Sequence, residues 1–203
     1  MFDLYLASQS PRRRELLQQI GVLHKVISVD VPEQQAPEES PAVYVQRLAR
    51  EKAAAGRQLC LARGLPERPV LGADTVGEMD GKVLEKPRDR DHGIAMLQAM
   101  SGRQHRILTA VSICSGSGQD CLLAETLVTF GTIDKQAATR YWQTGEPADK
   151  AAGYAIQGLA AVFVEHIAGS YSAVVGLPLA QTRQLLEQHG VAYWRDPHTG
   201  ILE

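Results

Sequence analysis

The stretch "GADTVGEMDGKVLEKP" (residues 72–87) holds the first side chains whose types and spacing could do chemistry. Asp80-Gly81 suits a two-residue type I′ hairpin turn, which pairs Met79 with Lys82. Counting back sets Thr75 opposite Lys86 and Val76 opposite Glu85. Strand side chains alternate between faces, so Asp74 and Glu85 share one face as a diagonal pair and Thr75 and Lys86 share the other. Asp74 stands just past the apolar run "VLGA", at the exit of an expected buried strand. Ligand-binding residues gather at that place in open α/β sheets. Two carboxylates on one face suit a divalent cation with oxygen ligands, and one of them could instead take a proton from water. The competing reading is a pair of solvated hairpin charges, and it weighs more on Glu85 than on Asp74.

A second group of polar residues lies in "LASQSPRRREL" (residues 6–16). Ser10-Pro11 reads as a helix start. Arg12, Arg13 and Arg14 follow at the end where the helix dipole is already positive and where acidic residues stabilise. A strand that runs through small residues into a helix N-terminus is a ready anion site. Arginine forks suit phosphate oxygens there, and the Ser8 and Ser10 hydroxyls could join them. The alternative is a solvated basic turn. Successive helical residues splay by about 100°, so one or two of the three arginines can face a ligand and one stays in solvent.

Lys52 shares a helical arc with Tyr44, Leu48, Ala55 and Leu59, away from Arg47 and Arg50. A lysine on such a stripe either snorkels past apolar neighbours or points into a pocket at an anion. Glu33, in the loop before that helix, is by itself an ordinary loop acid. Gln157 in "DKAAGYAIQG" (149–158) carries both donors and acceptors, as reading a base edge requires. By composition that stretch is a glycine-containing loop. The six histidines share no metal-ligand spacing, and neither a GxSxG elbow nor a Walker A loop is present.

The elements that must position these groups alternate irregularly. Strands are expected over 3–8, 25–29, 69–76, 83–87, 105–114, 121–131 and 161–167. Helices are expected over 11–20, 40–62, 89–100, 134–143 and 178–189, and "AGSY" reads as a turn. Mixed order without strict alternation predicts an α/β fold with a mixed central sheet flanked by helices. A 203-residue chain with 44% apolar residues can bury a sizeable core. A net charge of −2 and 5% aromatic residues argue against a nucleic-acid partner. No apolar run is long enough for a membrane span, and the N-terminus lacks a signal-peptide pattern. Cys60, Cys114 and Cys121 form no CxxC pair and read as reduced thiols, so a cytoplasmic protein is expected.

Five stretches in order, "LASQSPRRRELL", "RLAREKA", "GADTV…DGKVLEKP", "DKAAGYAIQG" and "GSYSAVVGLP", resemble the Maf family of nucleoside triphosphate pyrophosphatases, from about residue 4 to residue 188. The resemblance implies one domain over 1–203, with two lobes and a cleft similar to inosine triphosphate pyrophosphatases. It implies cleavage of a nucleoside triphosphate between the α and β phosphates, with a divalent cation, Mg or Mn, and a homodimeric assembly. On this pattern Asp74 is the proton acceptor, acting with Lys52 and Lys86. Ser8 and Arg13 hold phosphate, and the metal falls to Glu33, Asp74 and Glu85. Arg12, Thr75 and Gln157 match the specificity positions of the dTTP/UTP-hydrolysing subgroup. The 7-methyl-GTP subgroup typically carries Trp, Gln and Glu there. Arg14 is left to solvent. A non-hydrolytic nucleotide sensor in division control is the alternative role. Two residues depart from the family pattern: Ala152, where glycine is usual, and Gly77, where a β-branched residue is common.

Overall fold

The computed structural model describes residues 2–196 and 200–201. Its architecture follows from one long strand. The elements in chain order are β1 (Leu4–Leu6), α1 (Pro11–Gln19), β2 (His24–Val26), α2 (Pro41–Ala62), β3 (Val70–Met79), β4 (Lys82–Leu84), α3 (Arg90–Met100), β5 (Gln104–Ser115), β6 (Gly118–Phe130) and α4 (Lys135–Gln143). Three 3₁₀ turns follow at Glu146–Asp149, Ala151–Gly153 and Leu159–Phe163. The remaining elements are β7 (Val164–Ala168), α5 (Tyr171–Val175), α6 (Leu179–Gln188), and the short pair β8 (Arg195–Asp196) and β9 (Gly200–Ile201).

Seven strands form one mixed sheet in the order β2-β1-β3-β5-β6-β7, with β4 on β3. β1 runs parallel to both β2 and β3, and the other pairs in this sheet are antiparallel. One edge of β3 is covered by β5 from Val70 to Glu78. Its other edge is shared: β1 meets Val70 and Leu71, and β4 meets Gly77 to Met79. Between them, residues 72–76 pair with neither strand on that side. Asp74 and Thr75 lie in this gap, with their side chains on opposite faces.

α2 covers one face of the sheet. Small residues Ala49, Ala53 and Gly56 are buried on its contact side, and Tyr44 and Leu48 pack with Val76, Leu108 and Ala110. The opposite face is covered in two parts. Leu16 and Leu17 of α1 and Leu185 and Leu186 of α6 pack on Leu71, Ala73, Val111 and Ile113. Ile94, Leu97 and Met100 of α3 and Tyr141 of α4 pack on Ile107, Val128 and Phe130. The expected lobes are these two ends of one continuous sheet, and the gap beside β3 separates them.

Several sequence expectations change. The hairpin pairs Met79 with Lys82, and Asp80 and Gly81 have φ of 54° and 78°, as a type I′ turn demands. The ladder stops at Leu84, however, so the Thr75–Lys86 and Val76–Glu85 pairs do not form. Pro87, which lacks an N–H, is buried, and Glu85 and Lys86 turn out to solvent. The buried stripe of α2 runs through Val45, Leu48, Ala49, Ala53, Gly56 and Cys60, so Ala55 and Leu59 are only half-buried and Lys52 borders the stripe. β7 starts at Val164 because a 3₁₀ turn takes residues 159–163. "AGSY" leads into the short helix α5, capped by Ser170 on the Ala173 N–H.

The two departures from the family pattern meet in space. A Cβ built on Gly77 would lie 2.8 Å from the Ala152 Cβ and 3.1 Å from that of Leu84. Ala152 adopts φ 59°, a left-handed conformation that costs a non-glycine residue about 1–2 kcal/mol. Gly77→Val is expected to lower stability by about 1–3 kcal/mol through overpacking. Ala152→Gly in the same chain should return most of that loss. Thermal unfolding of both single variants and the double variant checks this; equal losses in Gly77→Val and the double variant would refute the coupling.

Candidate active site

A cleft of about 1320 Å³ opens at the gap beside β3, and its lining includes Arg13, Glu33, Lys52, Asp74, Lys86 and Gln157. α2 brings Lys52 over the face of β3 that carries Asp74. The Lys52 Nζ donates to Asp74 Oδ1 at 2.7 Å and to Glu33 Oε1 at 2.6 Å. Lys52 and Asp74 side chains are each 12% exposed and Glu33 is 52% exposed, so the ammonium is enclosed between one buried and one open carboxylate. Of the two expectations for Lys52, the structure shows the one aimed at an anion. Glu33 is held from α2: the Tyr44 hydroxyl donates to the Glu33 carbonyl at 2.9 Å, and Arg47 clamps the Gln34 carbonyl at 2.9 Å and Glu39 Oε1 at 2.7 Å. Burial pushes the Glu33 carboxyl up, but the Lys52 hydrogen bond and the charges of Lys52, Lys86 and Arg13 outweigh it and leave Glu33 below the ordinary glutamate range.

The other face of the gap belongs to Arg13. Its Nε donates to the Gly176 carbonyl at 2.9 Å, Nη1 to Ser8 Oγ at 3.1 Å and Nη2 to Thr75 Oγ1 at 3.3 Å. Thr109, fully buried on β5, donates to Thr75 Oγ1 at 3.1 Å or to the Ala173 carbonyl at 2.7 Å. The guanidinium is thus fixed by groups from three segments, Ser8, Thr75 and Gly176. Burial lowers its pKa, opposed by Asp74 and Glu33. α1 begins without a side-chain cap: Ser10 makes no capping bond, and its own N–H donates to Ser8 Oγ at 3.2 Å. By contrast Ser40, Asp89 and Asp134 cap α2, α3 and α4. The first N–H groups of α1 remain available beside the cleft.

The three arginines separate. Arg12 lines the cleft but pairs with Glu15 at 2.8 Å on the exposed side of α1. An exposed pair of this kind is worth about 0–1 kcal/mol, so a ligand can displace it. Arg14 is exposed. Glu85 and Lys86 line the cleft from the exposed segment after β4, and Thr75 and Gln157 line it from β3 and from the loop before β7. Among the described residues no three His, Cys, Asp or Glu side chains gather as a metal site. Glu33 and Asp74 meet on Lys52, and Glu85 is not drawn into a three-carboxylate set with them.

Sequence reasoning passed over Asp149 and Lys150, which bond each other and line the cleft. The signal was present in "DKAAGYAIQG", but its charged pair reads as loop without the fold. The lining carries five cationic side chains (Arg12, Arg13, Lys52, Lys86 and Lys150) against four carboxylates (Glu33, Asp74, Glu85 and Asp149). A small cationic excess in a concave site suits a multiply charged anion.

Tyr154 lines the same cleft and rests on His105, whose Nε2 lies 2.8 Å from the Tyr154 hydroxyl. His105 is 2% exposed, and among the described residues its Nδ1 has no hydrogen-bond partner. Burial lowers its pKa to about 4. The unfolded chain binds this proton near pH 6.5 and the folded chain does not, so acidification favours unfolding in that window. Stability is expected to fall by about 3 kcal/mol between pH 6.5 and pH 4 from this group alone. His105→Leu should flatten that part of the pH–melting curve; an unchanged slope would show that other groups set it.

Residues 3–189 match the protein family described as "Maf-like protein". A Saccharophagus degradans protein named dTTP/UTP pyrophosphatase is 55% identical over 96% of this chain and 92% of its own length. An Escherichia coli O157:H7 protein of the same name is 48% identical over 98% of this chain and 100% of its own. The solved structure of the Staphylococcus aureus Ham1 protein superposes with a TM-score of 0.42 at 15% identity, covering 63% of this chain and 71% of that one, a likeness too slight to carry an argument.

Proposed function

Since the chain belongs to the Maf-like protein family, we propose that it is a nucleoside triphosphate pyrophosphatase that hydrolyses dTTP and UTP between the α and β phosphates, giving the monophosphate and pyrophosphate. The observation that carries the site assignment is the Glu33–Lys52–Asp74 cluster, set across one strand from a pre-oriented Arg13. Hydrolysis of a phosphoanhydride needs charge neutralisation and positioning more than covalent help. Arg13, Lys52 and Lys86 neutralise the triphosphate, and Ser8 and the open start of α1 cradle its oxygens. Asp74 orients the attacking water and accepts its proton. Arg12, Thr75 and Gln157 select the base.

A Mg²⁺ or Mn²⁺ ion fits this donor set. Such ions are commonly held by one or two carboxylates together with substrate phosphates. Glu33 and Asp74 supply that pair, with Glu85 as a further candidate. The small cationic excess of the lining falls short of balancing a triphosphate. Held by Glu33 and Asp74, such an ion would offset the charge of the phosphates. A homodimer in the cytoplasm, where the three free thiols stay reduced, completes the proposal.

A nucleotide panel with Mg²⁺ or Mn²⁺, scored for pyrophosphate against orthophosphate, tests the reaction. Release of orthophosphate alone would refute α–β cleavage. Gln157→Glu exchanges an amide for an acceptor-only carboxylate, so kcat/KM for dTTP and UTP is expected to fall by about 10–100-fold. Unchanged nucleotide preference in that variant would remove Gln157 from base selection.

A further inference from the structure

Gln157 sits on a segment that no strand or α-helix holds, between the 3₁₀ turns Ala151–Gly153 and Leu159–Phe163. A side chain that discriminates bases must nevertheless be held close to its productive position. Two side chains outside the cleft lining do this from below. The Tyr141 hydroxyl, on α4, accepts from the Ala155 N–H at 3.3 Å and donates to Glu146 Oε1 at 2.7 Å. Glu146 then accepts from the Leu159 N–H through Oε2 at 3.0 Å and from the Ala160 N–H through Oε1 at 3.2 Å. The bonds grip the backbone on both sides of Gln157, two residues before it and two to three after it. We propose that Tyr141 and Glu146 form a clamp that sets the pose of Gln157 and, through it, the choice of base.

The chemistry of the pair suits that task. Tyr141 is buried, and burial together with the Glu146 hydrogen bond pushes its phenol up, so it stays a neutral donor. Burial pushes the Glu146 carboxyl up, but the two backbone N–H groups, Tyr141 and Lys150 outweigh it, so it stays an ionised acceptor. Charge-assisted bonds of this kind are stronger than neutral ones. Neither residue is catalytic: both are positioning residues that act through the loop.

The proposal rests on the reading that Gln157 selects the base, and the test separates the two. The wild type, Gln157→Ala, Tyr141→Phe and Glu146→Gln are assayed with dTTP and dGTP in the presence of Mg²⁺, and folding of each is checked by thermal unfolding. Tyr141→Phe removes a hydroxyl with little change of shape, and Glu146→Gln removes the charge. The dTTP/dGTP ratio of kcat/KM is expected to fall by about tenfold or more in both clamp variants, as a displacement of roughly 1 Å would cause, chiefly through a higher KM for dTTP. Equal losses for both nucleotides, or a ratio held at the wild-type value while Gln157→Ala loses it, would overturn the clamp. A ratio unchanged in Gln157→Ala would overturn the base-selection reading and the clamp with it. If Glu146→Gln does not fold, Tyr141→Phe decides alone.

Discussion

Asp74→Asn is expected to lower pyrophosphate release by about 10²–10⁴-fold, the range that a general base contributes, in a protein that still folds. The amide has the shape of the carboxyl but cannot take a proton from water. Asp74 is placed for this work by topology: it lies where β3 has lost β1 and has not yet met β4, on the face toward α2. The fold should survive the change. Lys52 keeps its 2.6 Å bond to Glu33, and the new amide oxygen can still accept from the ammonium. A thermal melt near that of the wild type, with turnover lost, is the expected result. Near-normal turnover would remove Asp74 from the mechanism.

Lys52→Met should have the next largest effect, a fall in kcat/KM of about 10²–10³-fold, comparable to removing one preorganised donor from a charged transition state. The methionine keeps the apolar stem and deletes the charge that Glu33 and Asp74 share. Its loss leaves Glu33 and Asp74 without the cation between them. Lys52 is a principal cause of the low pKa of Glu33, so in the variant Glu33 holds its proton to higher pH. The acid limb of the pH–rate profile is therefore expected to move upward. A profile that falls in height without shifting would show that Glu33 is not the group that titrates there.

Much of this arrangement was legible in the residues. The Asp80-Gly81 turn is a local signal that survives in the fold. Asp74, expected at a strand exit, lies instead in the middle of β3, which runs on to Met79, and reaches the cleft through the gap left beside it by β1 and β4. Helical geometry also requires the three arginines to separate, but not which goes where. The resemblance implied Arg13 toward the ligand and Arg14 in solvent, and in the structure Arg13 turns inward and Arg14 is exposed. What the sequence did not disclose depends on long-range contacts. The end of β4 at Leu84 cannot be read from "VLEKP", since an edge segment pairs only as far as its neighbours leave room. Asp149 and Lys150 look like loop charges until 3₁₀ turns place them on the cleft. Tyr141 and Glu146 carry no motif at all. Their importance arises from backbone N–H groups thirteen to fourteen residues away that have no partner in a regular element.

The contact between Gly77 and Ala152 also limits the order in which these positions can change as the sequence drifts. A β-branched residue at 77 meets the Ala152 methyl at once, so that step is penalised while alanine stands at 152. Ala152→Gly first is nearly neutral, because relief of the left-handed strain of about 1–2 kcal/mol offsets a lost buried methyl and a more flexible backbone. Once position 152 is glycine, the closest obstruction to branching at position 77 is gone, and only the 3.1 Å approach to the Leu84 Cβ remains to be relaxed. The route between the two residue pairs is therefore open through the intermediate with glycine at both positions and obstructed through the one that joins a branched residue at 77 to Ala152. A chimera that brings a β-branched residue to position 77 while keeping Ala152 inherits the obstruction, whereas one that brings only glycine to position 152 does not.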